Sequence, residues 1–206
     1  PGKATITVDG NYTVYVVKFT YDFEYDEPPN DLLVRVVGKV PEGEKAIISV
    51  KVRRPDGQEI ALITNYQTAF PERYEGKPAK HFKLSKRSDV GNRIVSWAAK
   101  FDTPENVQTV SIRPTLGRWV LRVLFSKAEK GILVGEAELL RGKYVFTVKV
   151  VMPEGGKLYR FMMIFYGTAY GLMGTDSYGR DLFVGIVWGT RLALLIGILT
   201  SLISTL

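Results

Sequence analysis

The sequence contains no cysteine and a single histidine, His81, among 206 residues. The absence of cysteine excludes disulfide bonds, a thiol nucleophile and cysteine-bound metal centres. One histidine leaves few ways to build a zinc or iron site, so His81 is expected to be an ordinary strand or loop residue. We therefore predict no metal site and no cofactor.

Motifs of the common enzyme classes are also missing. The sequence has no P-loop, no G-x-S-x-G, no H-E-x-x-H and no dinucleotide-binding glycine pattern. The acidic cluster at residues 22–27 is interpreted as a solvated turn, or at most as a weak calcium site that lacks the ordered loop of an EF-hand. We predict no catalytic residues and do not expect the chain to be an enzyme.

The formal net charge is +7, which suits an acidic partner or anionic lipid headgroups. Basic residues are nevertheless spread along the chain rather than gathered in one block. We interpret most of them as solvated faces of strands and do not expect nucleic-acid binding. The residues concerned are Lys51, Arg53, Arg54, Lys83, Lys86, Arg87, Arg118 and Arg122.

Alternation of apolar and polar residues dominates residues 1–165. In residues 45–53 the even positions are apolar and most odd positions are charged or polar, which is typical of a strand with one face in water. Residues 118–125 show the same alternation, and their inward residues are expected to be Trp119, Leu121, Val123 and Phe125. Further strands are predicted at residues 4–8, 13–21, 32–40, 59–64, 107–112, 144–151 and 157–165.

Turn signals support antiparallel pairing of these strands. Residues 54–57 read R-P-D-G and residues 153–156 read P-E-G-G, and both sequences favour tight hairpin turns. Residues 140–144 resemble the tyrosine corner of immunoglobulin-like sandwiches, in which the Tyr144 hydroxyl would bond to upstream backbone. An ordinary core tyrosine is the other interpretation. The predicted fold is mainly β, an immunoglobulin-like antiparallel β-sandwich.

The alternation lapses between residues 66 and 101, where aromatic residues sit in a polar segment. A helix is predicted at residues 89–100, because Val90, Ile94 and Phe101 recur at helical spacing and Ser88 or Asp89 can cap its start. We predict a helix-containing insertion over about residues 66–105. Its aromatic residues either contact a partner or anchor the loop.

The last residues, 182–206, are strongly apolar, with one charge at Arg191 and no proline. A bilayer-spanning helix needs about 20 predominantly apolar residues, so this segment predicts the start of a transmembrane helix, truncated at the end of the chain. A core helix buried on every side is the alternative. Small residues recur at every fourth position and would let another helix pack closely; they are Gly185, Gly189, Ala193, Gly197 and Ser201.

Residues 166–181 form a glycine-rich juxtamembrane loop before this helix. Residues 174–181 read G-T-D-S-Y-G-R-D, and residues 188–194 read W-G-T-R-L-A-L. They resemble the G-T-D-x-x-G-R-D segment and the subsequent G-x-R-x-(S/A)-L of the second permease subunit in the oligopeptide/dipeptide (peptide/nickel) ABC importer family. The resemblance covers about the last thirty-five residues. The motif residues are Gly174, Thr175, Asp176, Gly179, Arg180 and Asp181, and Asp181 is expected to cap the helix.

The resemblance implies a multi-pass subunit of the cell membrane, with residues 1–181 on the extracytoplasmic side and a first membrane helix before Pro1. It also implies four protein partners: a second permease subunit, two ATPase subunits that hydrolyse ATP, and an extracytoplasmic substrate-binding protein. The family's outer segment is usually short, whereas here it fills most of the sequence. We expect this enlarged domain to lie near the docking site of the binding protein.

The alternative hypothesis belongs to a different class of protein. In it the chain is a membrane-anchored β-sandwich at the cell surface that binds carbohydrate or protein, and residues 182–206 serve only as an anchor. The two hypotheses differ in the number of membrane helices that the whole protein needs, because only a permease requires several more beyond the apolar segment.

Overall fold

The computed structural model describes residues 3–111, 117–167 and 182–205. These residues belong to two compact units, Pro1–Gly167 and Thr168–Leu206. The first unit contains nine described strands: β1 (Lys3–Asp9), β2 (Tyr12–Phe23), β3 (Asp31–Lys39), β4 (Ala46–Arg53), β5 (Glu59–Thr68), β6 (Glu72–Tyr74), β7 (Lys77–Lys83), β8 (Gly142–Pro153) and β9 (Lys157–Tyr166). Its helices are α1 (Ser88–Ala98), α2 (Pro104–Ser111) and α3 (Arg118–Phe125), with a 3-10 turn at Leu84–Lys86. The second unit contains α4 (Leu182–Thr205).

The strands form two antiparallel sheets. The five-stranded sheet has the order β1-β2-β8-β4-β5, and the four-stranded sheet has the order β6-β7-β3-β9. Rings from the two sheets stack directly on each other, Phe19 on Phe161 and Tyr21 on Phe165. The predicted mainly β, antiparallel sandwich is therefore confirmed.

The core lies between the two sheets and under the three helices of the first unit. Alternate residues of the central strand β8 are fully buried, from Tyr144 to Met152, while Lys149 on the opposite side is exposed. Because side chains alternate across a strand, each strand contributes one face to the core and leaves the other in water. The apolar positions of the alternating sequence are therefore the ones that face the core.

Both ends of the first unit point toward the same end of the sandwich. Strand β1 begins opposite Lys18 on β2, one residue before Phe19, whose ring stacks on Phe161. Strand β9 runs on from Phe161 to Tyr166, past the stacked pair of Phe165 and Tyr21. The start of β1 and the end of β9 therefore both lie toward the same end of the sandwich.

Residues 118–125 form a helix, so the strand predicted there is wrong. Helix α3 buries Val120, Leu121, Val123, Leu124 and Phe125. Trp119, expected to face inward, is only half-buried and donates from Nε1 to the Leu133 carbonyl at 3.1 Å.

The strand predicted at residues 107–112 is also wrong, because these residues up to Ser111 belong to helix α2. Thr103 Oγ1 accepts from the Asn106 N–H at 3.3 Å, and Pro104 occupies the first helical position, a typical helix start.

The helix predicted at residues 89–100 is confirmed, whereas the segment predicted as a loop before it contains two strands. Helix α1 occupies Ser88–Ala98, but β6 and β7 precede it and belong to the four-stranded sheet. Phe70 and Phe82 are buried in the core, so these two aromatic residues anchor the fold rather than contact a partner.

The predicted turn at residues 54–57 is confirmed, because the Gly57 N–H donates to the Arg54 carbonyl at 3.0 Å and Gly57 has φ of 82°. The turn at residues 153–156 also forms, with the Gly156 N–H donating to Pro153 O at 2.9 Å. It does not close a hairpin, however, since β8 and β9 lie in different sheets.

The tyrosine corner is confirmed. The Tyr144 hydroxyl donates to the Leu140 carbonyl at 2.8 Å, and the side chain is fully buried. Burial raises the pKa of this phenol far above its usual value, so Tyr144 keeps its proton and its hydrogen bond at any physiological pH.

Helix α4 spans Leu182–Thr205, which agrees with the helix predicted from residue 182. The interpretation of this helix as the start of a membrane span is not confirmed. Within the residues that the structure describes, no helix is long and apolar enough to cross a membrane.

Candidate functional site

The family-motif residues lie outside the described residues. These are Gly174, Thr175, Asp176, Gly179, Arg180 and Asp181, all between the described ranges that end at residue 167 and resume at residue 182. Helix α4 begins at Leu182, the residue that follows the motif in the sequence.

All five small residues predicted for helix packing belong to α4, since Gly185, Gly189, Ala193, Gly197 and Ser201 fall within Leu182–Thr205. Ala193 and Ser201 are exposed. A Cβ atom added at Gly189 would meet no other atom within 4 Å. The described part of the chain thus gives no reason for a small residue at Gly189, and a packing role needs a helix from another segment or subunit.

A second candidate site lies on the outer face of the five-stranded sheet. A groove of about 720 Å³ crosses β2, β8, β4 and β5, and we call it the basic groove. Its cations are Lys18 on β2, Lys51 and Arg53 on β4, and Lys149 on β8. Its floor is largely apolar and includes Val16, Val145 and Ala61.

Strand pairing sets the positions of these cations. Thr147 on β8 pairs with Lys18 on one side and with Lys51 on the other. Lys149 lies one outward position further along β8, paired with Val16 and Ser49. The cations therefore surround Thr147 on three adjacent strands.

The basic groove has more positive than negative side chains. Lys51 pairs with Glu59 at 3.1 Å, but both side chains are half exposed, so this ion pair adds little stability. Within the described residues, Lys18, Arg53 and Lys149 make no ion pair. The groove is thus lined by four cations and one carboxylate, Glu59, which pairs with Lys51 and lies opposite Arg53 in the ladder. An anionic ligand would meet a net positive surface.

The pairing of β4 with β5 is irregular beside the groove. The register between β4 and β5 shifts on both sides of Val50, and Asn65 on β5 has φ of 48°. The Asn65 N–H donates to Ser49 Oγ at 3.1 Å, which fixes the irregular segment to β4. Bulges bend a strand and increase its local twist, so this irregularity affects the strands that line the groove.

Arg54 does not belong to the groove, and its interpretation as a solvated residue is wrong. It is 2% exposed and points away from its exposed neighbour Arg53. Its guanidinium donates to the carbonyl oxygens of Leu124 at 2.5 Å and Ser126 at 2.6 Å. Arg54 therefore has a structural role.

His81 lies on the outer face of the other sheet, in strand β7 as expected. Its Nδ1 accepts from Arg35 Nε at 3.0 Å, and its backbone N–H donates to Glu72 Oε2 at 2.8 Å. Burial and the nearby Arg35 charge lower the pKa of the His81 imidazole, despite the opposing effect of Glu72. The neutral ring thus acts as a hydrogen-bond acceptor for Arg35.

The acidic cluster at residues 22–27 is engaged by arginines. Asp26 pairs with Arg141, and Glu27 pairs with Arg118 at 2.6 Å. Among the described residues, no group of three or more histidine or carboxylate side chains is placed to hold a metal ion.

The sequence places Lys51 on an outward strand face and Lys18 and Lys149 within predicted strands, but it does not predict that the three form one site. Lys18 and Lys149 are brought together because β8 inserts between β2 and β4. That pairing joins segments more than a hundred residues apart, and no local pattern indicates it.

No family model and no curated protein matches the chain. Among solved structures, the chain is similar to the group B streptococcus pilus 2b backbone protein, with 10% sequence identity and a TM-score of 0.30. The match covers 84% of this chain and 61% of that chain, so the chain spans about three fifths of that structure's length. A likeness this distant identifies no family.

Proposed function

We propose that this chain is the extracytoplasmic domain, with the adjoining helix, of a permease subunit in an ABC importer for peptides or related solutes. The observation that carries the proposal is the G-T-D-x-x-G-R-D motif at residues 174–181, directly before the helix Leu182–Thr205. The motif's glycines and charged residues and the adjoining helix occur together, in the order the permease family uses.

The positions of the chain ends in the sandwich would suit a domain inserted between two membrane segments. Its first strand begins and its last strand ends toward the same end of the unit. An insertion into a short outer loop needs this arrangement, because both connections must return to the same membrane surface. A domain with its ends on opposite sides would need a long return segment.

The surface of α4 also fits the proposal. Large apolar side chains are exposed around the helix, including Ile186, Leu194, Ile198 and Ile203. The hydroxyls of Thr190 and Thr200 donate to carbonyl oxygens four residues earlier, at 2.8 and 2.6 Å. Internal hydrogen bonds of this kind leave the helix with few polar groups that need water. Such a surface suits lipid or neighbouring apolar helices.

In the proposed assembly, the subunit pairs with a second permease subunit and two ATPase subunits in the membrane. Binding and hydrolysis of ATP on the separate ATPases would drive the membrane helices between outward-open and inward-open states. The motif residues would shape the outer gate region, with Asp181 at the start of α4. The sandwich would receive or guide the substrate-binding protein.

The test is to purify the affinity-tagged native protein from its own membranes in mild detergent and identify the partners by mass spectrometry. We expect a second permease subunit and ATPases with P-loop motifs in stoichiometric amounts. Recovery of the protein without either would reject the permease hypothesis and favour the anchored cell-surface module. Replacing residues 3–166 with a short linker should retain the ATPases and lose the binding protein.

A further inference from the structure

The basic groove presents its cations in successive rows along the strands. Lys149 lies in one row, Lys18 and Lys51 flank Thr147 in the next, and Arg53 pairs with Val145 in a third. Outward residues of a strand recur every second position, so neighbouring rows are about 7 Å apart. An extended polypeptide repeats its own side chains at the same interval.

The groove also has apolar side chains within these rows. Val16 shares the row of Lys149, and Val145 shares the row of Arg53; both line the groove and are half-buried. A ligand that fills the groove would therefore cover apolar surface while its charged groups reach the cations. A simple inorganic anion would use only the cations.

The shape disfavours a lipid bilayer as the occupant. The groove is recessed, with a volume of about 720 Å³, and a flat membrane surface would reach the rim but not the valines of the floor. A protruding segment of a protein fits such a concave surface and contacts both the rim and the floor.

We propose that the basic groove binds an extended acidic segment of a protein partner, with carboxylates at alternate positions meeting Lys18, Arg53 and Lys149. The three cations have no ion pair within the described part of the chain, so charge complementarity favours an acidic partner. This inference goes beyond the proposed function, because it depends on the groove alone and holds for a permease or for another surface assembly.

The probe for the test is the peptide acetyl-(Glu-Thr)₄-amide, with acetyl-(Gln-Thr)₄-amide as the uncharged control. The full 206-residue chain in detergent is titrated with each peptide, and affinity is measured by calorimetry at low and high salt. Backbone amide shifts of Thr147 and Lys149 report whether binding occurs in the groove. We expect the glutamate peptide to bind there, the glutamine peptide to bind much more weakly, and added salt to reduce the affinity.

The deciding comparison uses two triple variants with the same loss of charge. Lys18→Gln/Arg53→Gln/Lys149→Gln removes the groove cations, and we expect about tenfold weaker binding. The matched control changes three exposed lysines outside the groove, Lys86→Gln/Lys100→Gln/Lys130→Gln, and should retain affinity within about twofold.

Three results would overturn the proposal. The first is no binding of the glutamate peptide at millimolar concentration, and the second is an equal loss of affinity in both triple variants. The third concerns vesicles of phosphatidylglycerol. If they displace the peptide, and if only the groove variant loses vesicle binding, the groove serves lipid headgroups instead. Circular dichroism of each variant checks that the fold is intact.

Discussion

The guanidinium group of Arg54 lies over the indole ring of Trp97, with 4.3 Å between the guanidinium carbon and the ring centroid. The same group pairs with Asp56 at 2.9 Å and donates to the carbonyl oxygens of Leu124 and Ser126. Arg54 thus connects the β4–β5 turn with α1 and with the end of α3. A buried charge is tolerated here because each of its three nitrogens has a hydrogen-bond acceptor and the group lies over an aromatic face.

Replacing Arg54 with methionine should lower the free energy of unfolding by about 3 kcal/mol, because the carbonyl oxygens of the buried residues Leu124 and Ser126 lose their donor. Asp56, which is exposed, also loses its ion pair. Urea denaturation followed by circular dichroism measures the change. Arg53→Met is the control, since Arg53 is exposed and its loss should cost less than about 0.5 kcal/mol. Equal effects of the two substitutions would contradict the role assigned to Arg54.

Tyr144→Phe removes only the hydroxyl that donates to the Leu140 carbonyl at 2.8 Å. We expect a loss of about 1 kcal/mol in the free energy of unfolding, because a buried acceptor loses its partner while the packing of the ring is kept. Tyr159→Phe provides the comparison, since Tyr159 is 45% exposed and water can replace its contacts. A Tyr144→Phe variant as stable as the wild type in urea would show that the corner adds no stability.

The sequence predicts the sandwich well where a strand has one buried and one wet face. In β8, for example, Val148 is fully buried, and the next residue, Lys149, is exposed. The strand predicted at residues 118–125 is wrong because the spacing of the charged residues is ambiguous. Two residues four positions apart lie on the same side of a strand and also on the same side of a helix. Arg118 and Arg122 are such a pair, so their spacing fits either structure. The distinguishing residues are Val120 and Leu124, which are apolar where a strand would face water and are buried in the helix.

The β6–β7 hairpin escapes prediction for a different reason. Its turn consists of Glu75 and Gly76, both with positive φ, 49° and 76°, between the paired residues Tyr74 and Lys77. Two-residue turns of this kind favour asparagine or aspartate at the first position, and glutamate there gives a weak signal. The basic groove depends on the pairing of Lys18 with Thr147, which no local pattern can indicate.

Asp102, just before α2, is hydrogen-bonded to the loop that contains Gly131 and Leu133. Its carboxylate accepts from the backbone N–H groups of Gly131 at 3.0 Å and Leu133 at 2.8 Å, and from Asn106 Nδ2 at 2.8 Å. Burial raises the pKa of this carboxyl group, but the hydrogen bonds outweigh burial, so the pKa lies below its ordinary value. The ionised form is therefore the one that stabilises the fold.

Asp102→Asn should lower the free energy of unfolding at pH 7 by about 2 kcal/mol, because the charge and one acceptor oxygen are lost. The folded-state pKa lies below the unfolded value of about 3.9. Asp102 thus contributes its full stability above that value and loses it as the pH falls through the folded-state pKa. Urea midpoints of wild type and variant should differ at pH 7 and converge as the pH falls through the lowered folded-state pKa. A difference independent of pH would contradict this account. Asp26→Asn is the control, since the Asp26 side chain is 91% exposed.

The small residues of α4 predict a packing face for another subunit. Ala193→Phe adds bulk to that face, and Leu202→Phe adds a ring nine residues later, on the opposite side of the helix at 100° per residue. Both side chains are exposed, so neither substitution should disturb the described part of the chain. Close helix packing depends on small residues, so we expect Ala193→Phe to reduce co-purification of the second permease subunit at least fivefold and Leu202→Phe to leave it unchanged. Equal recovery with both variants would place the subunit contact elsewhere on α4 or on another segment.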